Sequence, residues 1–173
     1  MGMNTLVNWG DQRLFENTPL PYVTSLPEFP ETEKKIFRDF PDVLSDEYKE
    51  NAKNNAKALA ARKDDPMMIG YFLRNEPSWA FVDNLVLADE VLYNPERTVC
   101  KEKLIVALKE KYQTVEALNT AWNTKFTDFD DLYQPIRDAS AKSEAAKEDQ
   151  KTFSKEMLRA YVEIPSKACR EVD

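Results

Sequence analysis

At 173 residues the chain is long enough for one domain with a real core, and short of the roughly 250 residues of a closed (β/α)8 barrel. Charged residues make up 32% and hydrophobic ones 42%, no apolar stretch approaches the ~20 residues of a membrane span, and a net charge of −7 argues against nucleic acid as a partner. There is no histidine, which removes Ser-His-Asp and Cys-His nucleophiles, His-ligated zinc and imidazole proton shuttles, and leaves carboxylates as the abundant acid–base groups.

The first element is a β-prone run from Met3 to Trp9, closed by the turn signal Gly10-Asp11. The chain enters this strand almost at once, without a preceding cap or linker, so the expectation is a sequence that starts inside a domain; its N-terminus shows no signal-peptide pattern. Asp11 can cap a short helix from Gln12 to Asn17. Leu20 to Leu26 reads as a second strand, with Pro21 tolerable only near its start because proline donates nothing to a ladder. A loop punctuated by Pro27, Pro30 and Pro41 follows.

Ser45 then caps a helix with Asp46 and Glu47 in its first turn and Arg62 and Lys63 in its last, as the helix dipole favours. Tyr48, Ala52, Ala56 and Leu59 share one face of it. After Asp64-Asp65-Pro66 a third strand runs through Ile69-Gly70-Tyr71-Phe72 and stops at Asn75-Glu76-Pro77. Strand, helix, strand, helix, strand is the pattern of a parallel α/β sheet.

Beyond Trp79 the reading turns helical. Asn94-Pro95 looks like a cap with proline at the first helical position, ahead of the stripe Leu104, Ile105, Leu108 and Tyr112. Thr114 caps a short helix bearing Leu118 and Trp122. Residues 138–151, rich in Ala, Lys, Glu and Ser, read as a solvated helix or loop. Phe153, Met157, Tyr161 and Ile164 then form one face of a last helix, which Pro165 should kink or end. Cys100 and Cys169 lack metal-ligand spacing and read as free, partly buried thiols, with a single disulfide as the alternative.

Glu76 is the first candidate for chemistry. The C-terminal ends of parallel strands are where active sites are built, and strand alternation puts Gly70, Phe72, Arg74 and Glu76 on one side. If that side faces a barrel interior, Glu76 stands in the mouth as an acid–base group, with Asn75 able to bond a sugar hydroxyl. The plain alternative is a surface Glu capping the next helix. Trp9 and Trp79 follow strand ends and could stack on pyranose rings, or serve as core tryptophans. Asn8 and Asp11 are weaker candidates, open to simple turn chemistry. Tyr112 and Trp122 lie on apolar stripes and read as packing residues. Arg74 should pair with a nearby carboxylate, Glu76 included.

Three segments carry a resemblance. Ile69-Gly70-Tyr71-Phe72 with Asn75-Glu76-Pro77-Ser78-Trp79 resembles the fourth-strand signature of clan A glycoside hydrolases. Gly2-Met3-Asn4-Thr5 with Asn8-Trp9-Gly10-Asp11 is similar to the second-strand region of that clan's β-agarase and β-galactosidase-like members. Lys111 to Trp122, then Phe126, resembles an insertion after the fourth strand in family 42 β-galactosidases and agarase-like relatives. Arg74, Val7 and Gln113 depart from the pattern.

The resemblance implies an α/β fold that is part of a (β/α)8 barrel, about strands two to four with their helices, in one domain over 1–173 with a helical insertion at 80–150. It implies a retaining β-glycosidase acting on an oligo- or polysaccharide without metal or organic cofactor. Glu76 matches the family's acid/base position and Asn75 the Asn before it; the family's nucleophile belongs to a seventh strand and is expected outside this chain. Such a piece leaves sheet edges unpaired, so it either belongs to a longer enzyme or completes itself as a homo-oligomer through those edges. The alternative function is a non-catalytic carbohydrate-binding or scaffold protein derived from the same barrel.

Overall fold

The computed structural model describes every residue except 1, 3, 8, 9 and 18. Its sheet is small and parallel. Strand β1 (Tyr22–Ser25) pairs in parallel with β4 (Met68–Phe72), and Leu6 extends the order on the far side of β1 through a parallel bridge to Tyr22. Leu6 N donates to Pro21 O at 2.9 Å and Leu6 O accepts from Val23 N at 3.0 Å. β1 starts just after Pro21, as the missing N–H requires. Among the described residues β4 is the last strand on its side of the sheet.

Helix α1 (Gln12–Asn17) links the first bridge to β1, and α2 (Asp46–Ala56) leads toward β4. Ser45 caps α2 by accepting from Tyr48 N, and Tyr48, Ala52 and Ala56 are buried as their spacing predicts. The last predicted turn of this helix is instead a 3₁₀ segment, Lys57–Ala61, which still buries Leu59. Tyr71 and Leu73 pack on the cluster formed by Leu26, Ala52, Ala56, Leu59, Ala168 and Cys169, so one face of β4 meets α2 and the C-terminal helix.

The proline-punctuated loop holds an antiparallel hairpin that the sequence reading lacks: β2 (Lys35–Phe37) and β3 (Phe40–Pro41), turned by Arg38-Asp39. Strands of three and two residues show no periodicity, and Arg38 takes the positive φ of 48° that a Gly or Asn would have advertised. Asp42, just past β3, accepts from Val99 N at 2.6 Å and Cys100 N at 2.9 Å, so the hairpin also caps a distant helix.

The helical half differs from the sequence reading in three places. Asn94 ends α3 (Leu87–Tyr93) rather than starting a helix; its Oδ1 accepts from Glu96 N and its Nδ2 donates to Lys35 O and Ile36 O. Thr98 is the true cap of α4 (Val99–Tyr112). After α5 (Val115–Trp122), residues 144–151 are neither loop nor fully solvated: they are the first turns of α6 (Glu144–Arg170) and bury Ala146, Asp149 and Gln150. Finally, α6 runs on through Pro165. Proline leaves Tyr161 O without its helical donor, and Tyr48 Oη supplies one at 2.8 Å.

Two polar nodes lie in this half. Lys101, fully buried, donates to the carbonyls of Leu92, Asn94 and Tyr133. Asp149 accepts from Lys111, from Tyr112 Oη at 2.6 Å and from Trp122 Nε1 at 2.8 Å, so Tyr112 and Trp122 are packing residues with satisfied polar ends. Both cysteines are free and buried.

Candidate active site

β4 ends at Phe72, and the chain carries on through Leu73 and Arg74 to Asn75-Glu76-Pro77 at the C-terminal end of the parallel pair. Asn75 and Glu76 are exposed. Glu76 has φ 41°, a left-handed conformation that costs an L residue about 1 kcal/mol or more. The pleat therefore does not decide which way Glu76 faces; the loop does. The 3₁₀ turn Ser78–Phe81 follows at once, with no side chain of its own capping it.

The cap comes from the hairpin. Asp39 Oδ1 accepts from Ser78 Oγ at 2.6 Å and Trp79 N at 3.0 Å; its Oδ2 accepts from Ser78 N at 3.0 Å and Arg74 Nη2 at 2.7 Å. Arg38 Nη1 donates to Ser78 O at 2.9 Å. Burial opposes ionisation of Asp39, but the bonds from Ser78, Arg74 and Trp79 outweigh it and hold the carboxyl down at about 2. Arg74 thus answers Asp39, and more distantly Glu31 at 4.0 Å, with its guanidinium over the Phe29 ring.

An aromatic cluster lies next to this polar clamp. Phe40, fully buried, stacks on Tyr161 with ring centroids 5.1 Å apart, and Trp79 meets both rings edge-on at 5.2 and 5.3 Å. Trp79 Nε1 and Tyr161 Oη are buried without meeting hydrogen-bond geometry. Trp79 is thus half-buried and shares its ring with the core, while its remaining surface lines a cavity of about 330 Å³ with Ala80, Val82 and Leu158.

Two further hollows meet at Arg74. A polar one of about 600 Å³ is lined by Glu28, Glu31, Asn51 and Asn55. A more apolar one of about 370 Å³ lies beside β4, between Phe72, Pro77, Tyr161 and Val162. Of the predicted site residues, Asn75, Glu76 and Trp79 share one loop; Asn8 and Trp9 lie outside the described residues. Asp11 caps α1 by accepting from Arg13 N at 2.9 Å, which is turn chemistry. Asp39 was not legible as a site residue, because a carboxylate 39 positions before Ser78 in a proline-rich loop carries no spacing signal.

The model of the glycoside hydrolase family 42 β-galactosidases matches residues 29–173. The chain belongs to this family. It is 27% identical over 160 residues to β-agarase B of Vibrio sp. (strain JT0107), covering 86% of the chain and 17% of that protein. Against β-agarase A of the same strain the identity is 27% over 155 residues, covering 75% and 15%. The fold matches the crystal structure of an agarase, AgWH50C, with a TM-score of 0.80 at 21% identity over 99% of this chain and 26% of that one. An exo-β-agarase structure matches with a TM-score of 0.80 at 22% identity, over 99% and 25%. The family 42 chain therefore spans about a sixth of its curated relatives' length and about a quarter of these structures.

Proposed function

We propose that these residues form part of the (β/α)8 catalytic barrel of a retaining β-glycosidase of the β-galactosidase/β-agarase type, with Glu76 as its proton donor and general base. The order Leu6, β1, β4 corresponds in this reading to three consecutive barrel strands, and residues 80–150 to an insertion after the third. The observation that carries the reading is the placement of Glu76: exposed, at the C-terminal end of a parallel strand, and in a strained backbone conformation whose flanks are fixed by Asp39. Backbone strain held in place by surrounding bonds at a strand end supports a functional reading of that position.

In this mechanism Glu76 protonates the departing glycosidic oxygen while a second carboxylate, about 5–5.5 Å away, attacks the anomeric carbon; Glu76 then takes a proton from the water that releases the sugar. Asn75 bonds a substrate hydroxyl, and Trp79, together with Asn8 and Trp9, is assigned to sugar contact. Asp39 does not suit the nucleophile's part, since its four lone-pair positions are all engaged. Because the family resemblance puts the nucleophile on a later strand, we assign it to polypeptide outside these 173 residues or to a second copy across the open edge of β4. The substrate is an oligo- or polysaccharide with β-linked galactose units.

The test is hydrolysis of aryl β-glycosides by the product of the complete reading frame, beside its Glu76→Gln variant and the 173-residue chain. A loss of about 10²–10⁴-fold in the variant is expected, with negligible turnover by the 173-residue chain. Undiminished activity in Glu76→Gln would overturn the assignment. Turnover by the short chain that vanishes with Glu76→Gln would place the second carboxylate within it.

A further inference from the structure

The geometry points to Asp39 as a positioning residue that sets the direction of the Glu76 carboxyl from the tip of the β2–β3 hairpin. The inference rests on the reading of Glu76 as the proton donor. Asp39 grips the loop on both sides of Glu76: Arg74, two residues before it, and Ser78, two residues after it, donate to the same carboxylate oxygen. The other oxygen holds Ser78 Oγ and Trp79 N. A loop pinned at both ends to one anion has little freedom left between the pins, and the residue left in the left-handed conformation is Glu76.

The arrangement pairs a polar contact with an aromatic one. Asp39 and Phe40 are consecutive, as are Ser78 and Trp79; Asp39 meets Ser78 while Phe40 meets Trp79 edge-on. Tyr161 of α6 packs on both rings and so ties the hairpin tip to the helical half. Packing alone would locate the 3₁₀ turn. The carboxylate adds what packing lacks: it satisfies the two N–H groups at the start of that turn and neutralises Arg74, which would otherwise lie charged beside the acid. Asp39 reaches no solvent-facing substrate position with a lone pair to spare, so it acts through Glu76.

The experiment compares Asp39→Asn and Ser78→Ala with the parent in the product of the complete reading frame, on one β-galactoside with an activated aryl leaving group and one with a poor alkyl leaving group. A misaimed Glu76 slows glycosylation, read as kcat/KM, only for the substrate that needs the proton, whereas deglycosylation, which uses Glu76 as general base, slows for both. Asp39→Asn is expected to lower kcat/KM on the alkyl glycoside about 10- to 100-fold and to leave kcat/KM on the activated one nearly unchanged, while kcat on the activated one falls through the slower deglycosylation. Ser78→Ala, a milder change, should give the same leaving-group dependence with a smaller loss on the alkyl glycoside. In the Glu76→Gln background Asp39→Asn should cost nothing further.

Equal losses in kcat/KM on both leaving groups, or an undiminished Asp39 effect in the Glu76→Gln background, would overturn the proposal and leave Asp39 a structural residue. Amide exchange at Ser78 and Trp79 gives a readout independent of turnover; about tenfold acceleration in Asp39→Asn is expected, and unchanged exchange would equally overturn it. If Glu76→Gln is itself fully active, the reading of Glu76 fails first, and that outcome is recognisable on its own.

Discussion

The helical half and the sheet half are built on opposite plans. From α3 to α6 the chain is held by a continuous apolar core in which the two polar nodes, Lys101 and Asp149, are buried and surrounded by partners. Among the described residues the sheet half pairs β1 with β4 and bridges Leu6 to Tyr22, leaves Ile69 60% exposed, and fixes the loop around Glu76 by hydrogen bonds rather than by burial. A carboxylate appears in both. Asp149 serves the core by satisfying Trp122, Tyr112 and Lys111; Asp39 serves a loop that projects an acid into solvent. Burial is concentrated in the first half, and the exposed, hydrogen-bonded loop that carries Glu76 belongs to the second.

The largest expected effect breaks the helical plan alone. Trp122→Ala removes a fully buried indole and its bond to Asp149, and should cost about 3–5 kcal/mol in a denaturant titration. Tyr48→Phe probes the seam between the halves: it strips the hydroxyl that satisfies Tyr161 O above Pro165. That should cost about 1–3 kcal/mol and raise amide exchange around Tyr161.

Acid sharpens the comparison from the other side. Asp39 titrates at about 2 against an ordinary value of 3.8, so its contribution is complete above the unfolded value and fades as pH falls through about 2. Between about pH 4 and 2, exchange at Ser78 and Trp79, normalised for intrinsic rate, should accelerate before that of α6; simultaneous loss would contradict the division. The smallest effect is expected at the open face. Ile69→Thr should change stability by no more than about 0.5 kcal/mol, while lowering any concentration-dependent association measured by sedimentation.

Long-period signals made much of this legible in advance. The Tyr48, Ala52, Ala56, Leu59 spacing foretold the buried face of α2, and the apolar run ending in Asn-Glu-Pro marked both β4 and Glu76. What escaped was decided by distant partners. The hairpin is too short for periodicity, and Asn94-Pro95 mimics a helix start because the same Asn side chain that caps can close a turn. Pro165 fails to end α6 because a tyrosine 113 positions earlier in sequence than Tyr161 takes over the orphaned carbonyl. Asp39 belongs to the same class, being defined by whom it meets and not by its neighbours in sequence.

The central claim, that Glu76 is the acid/base carboxyl, is tested most directly by chemical rescue of the Glu76→Ala variant in the product of the complete reading frame. Azide needs no general base, so it can attack the glycosyl-enzyme intermediate in place of water. Recovery of turnover on an activated aryl β-galactoside is expected, with the β-glycosyl azide as product. An α-glycosyl azide would identify Glu76 as the nucleophile instead, and turnover equal to the parent's without azide would remove it from the chemistry.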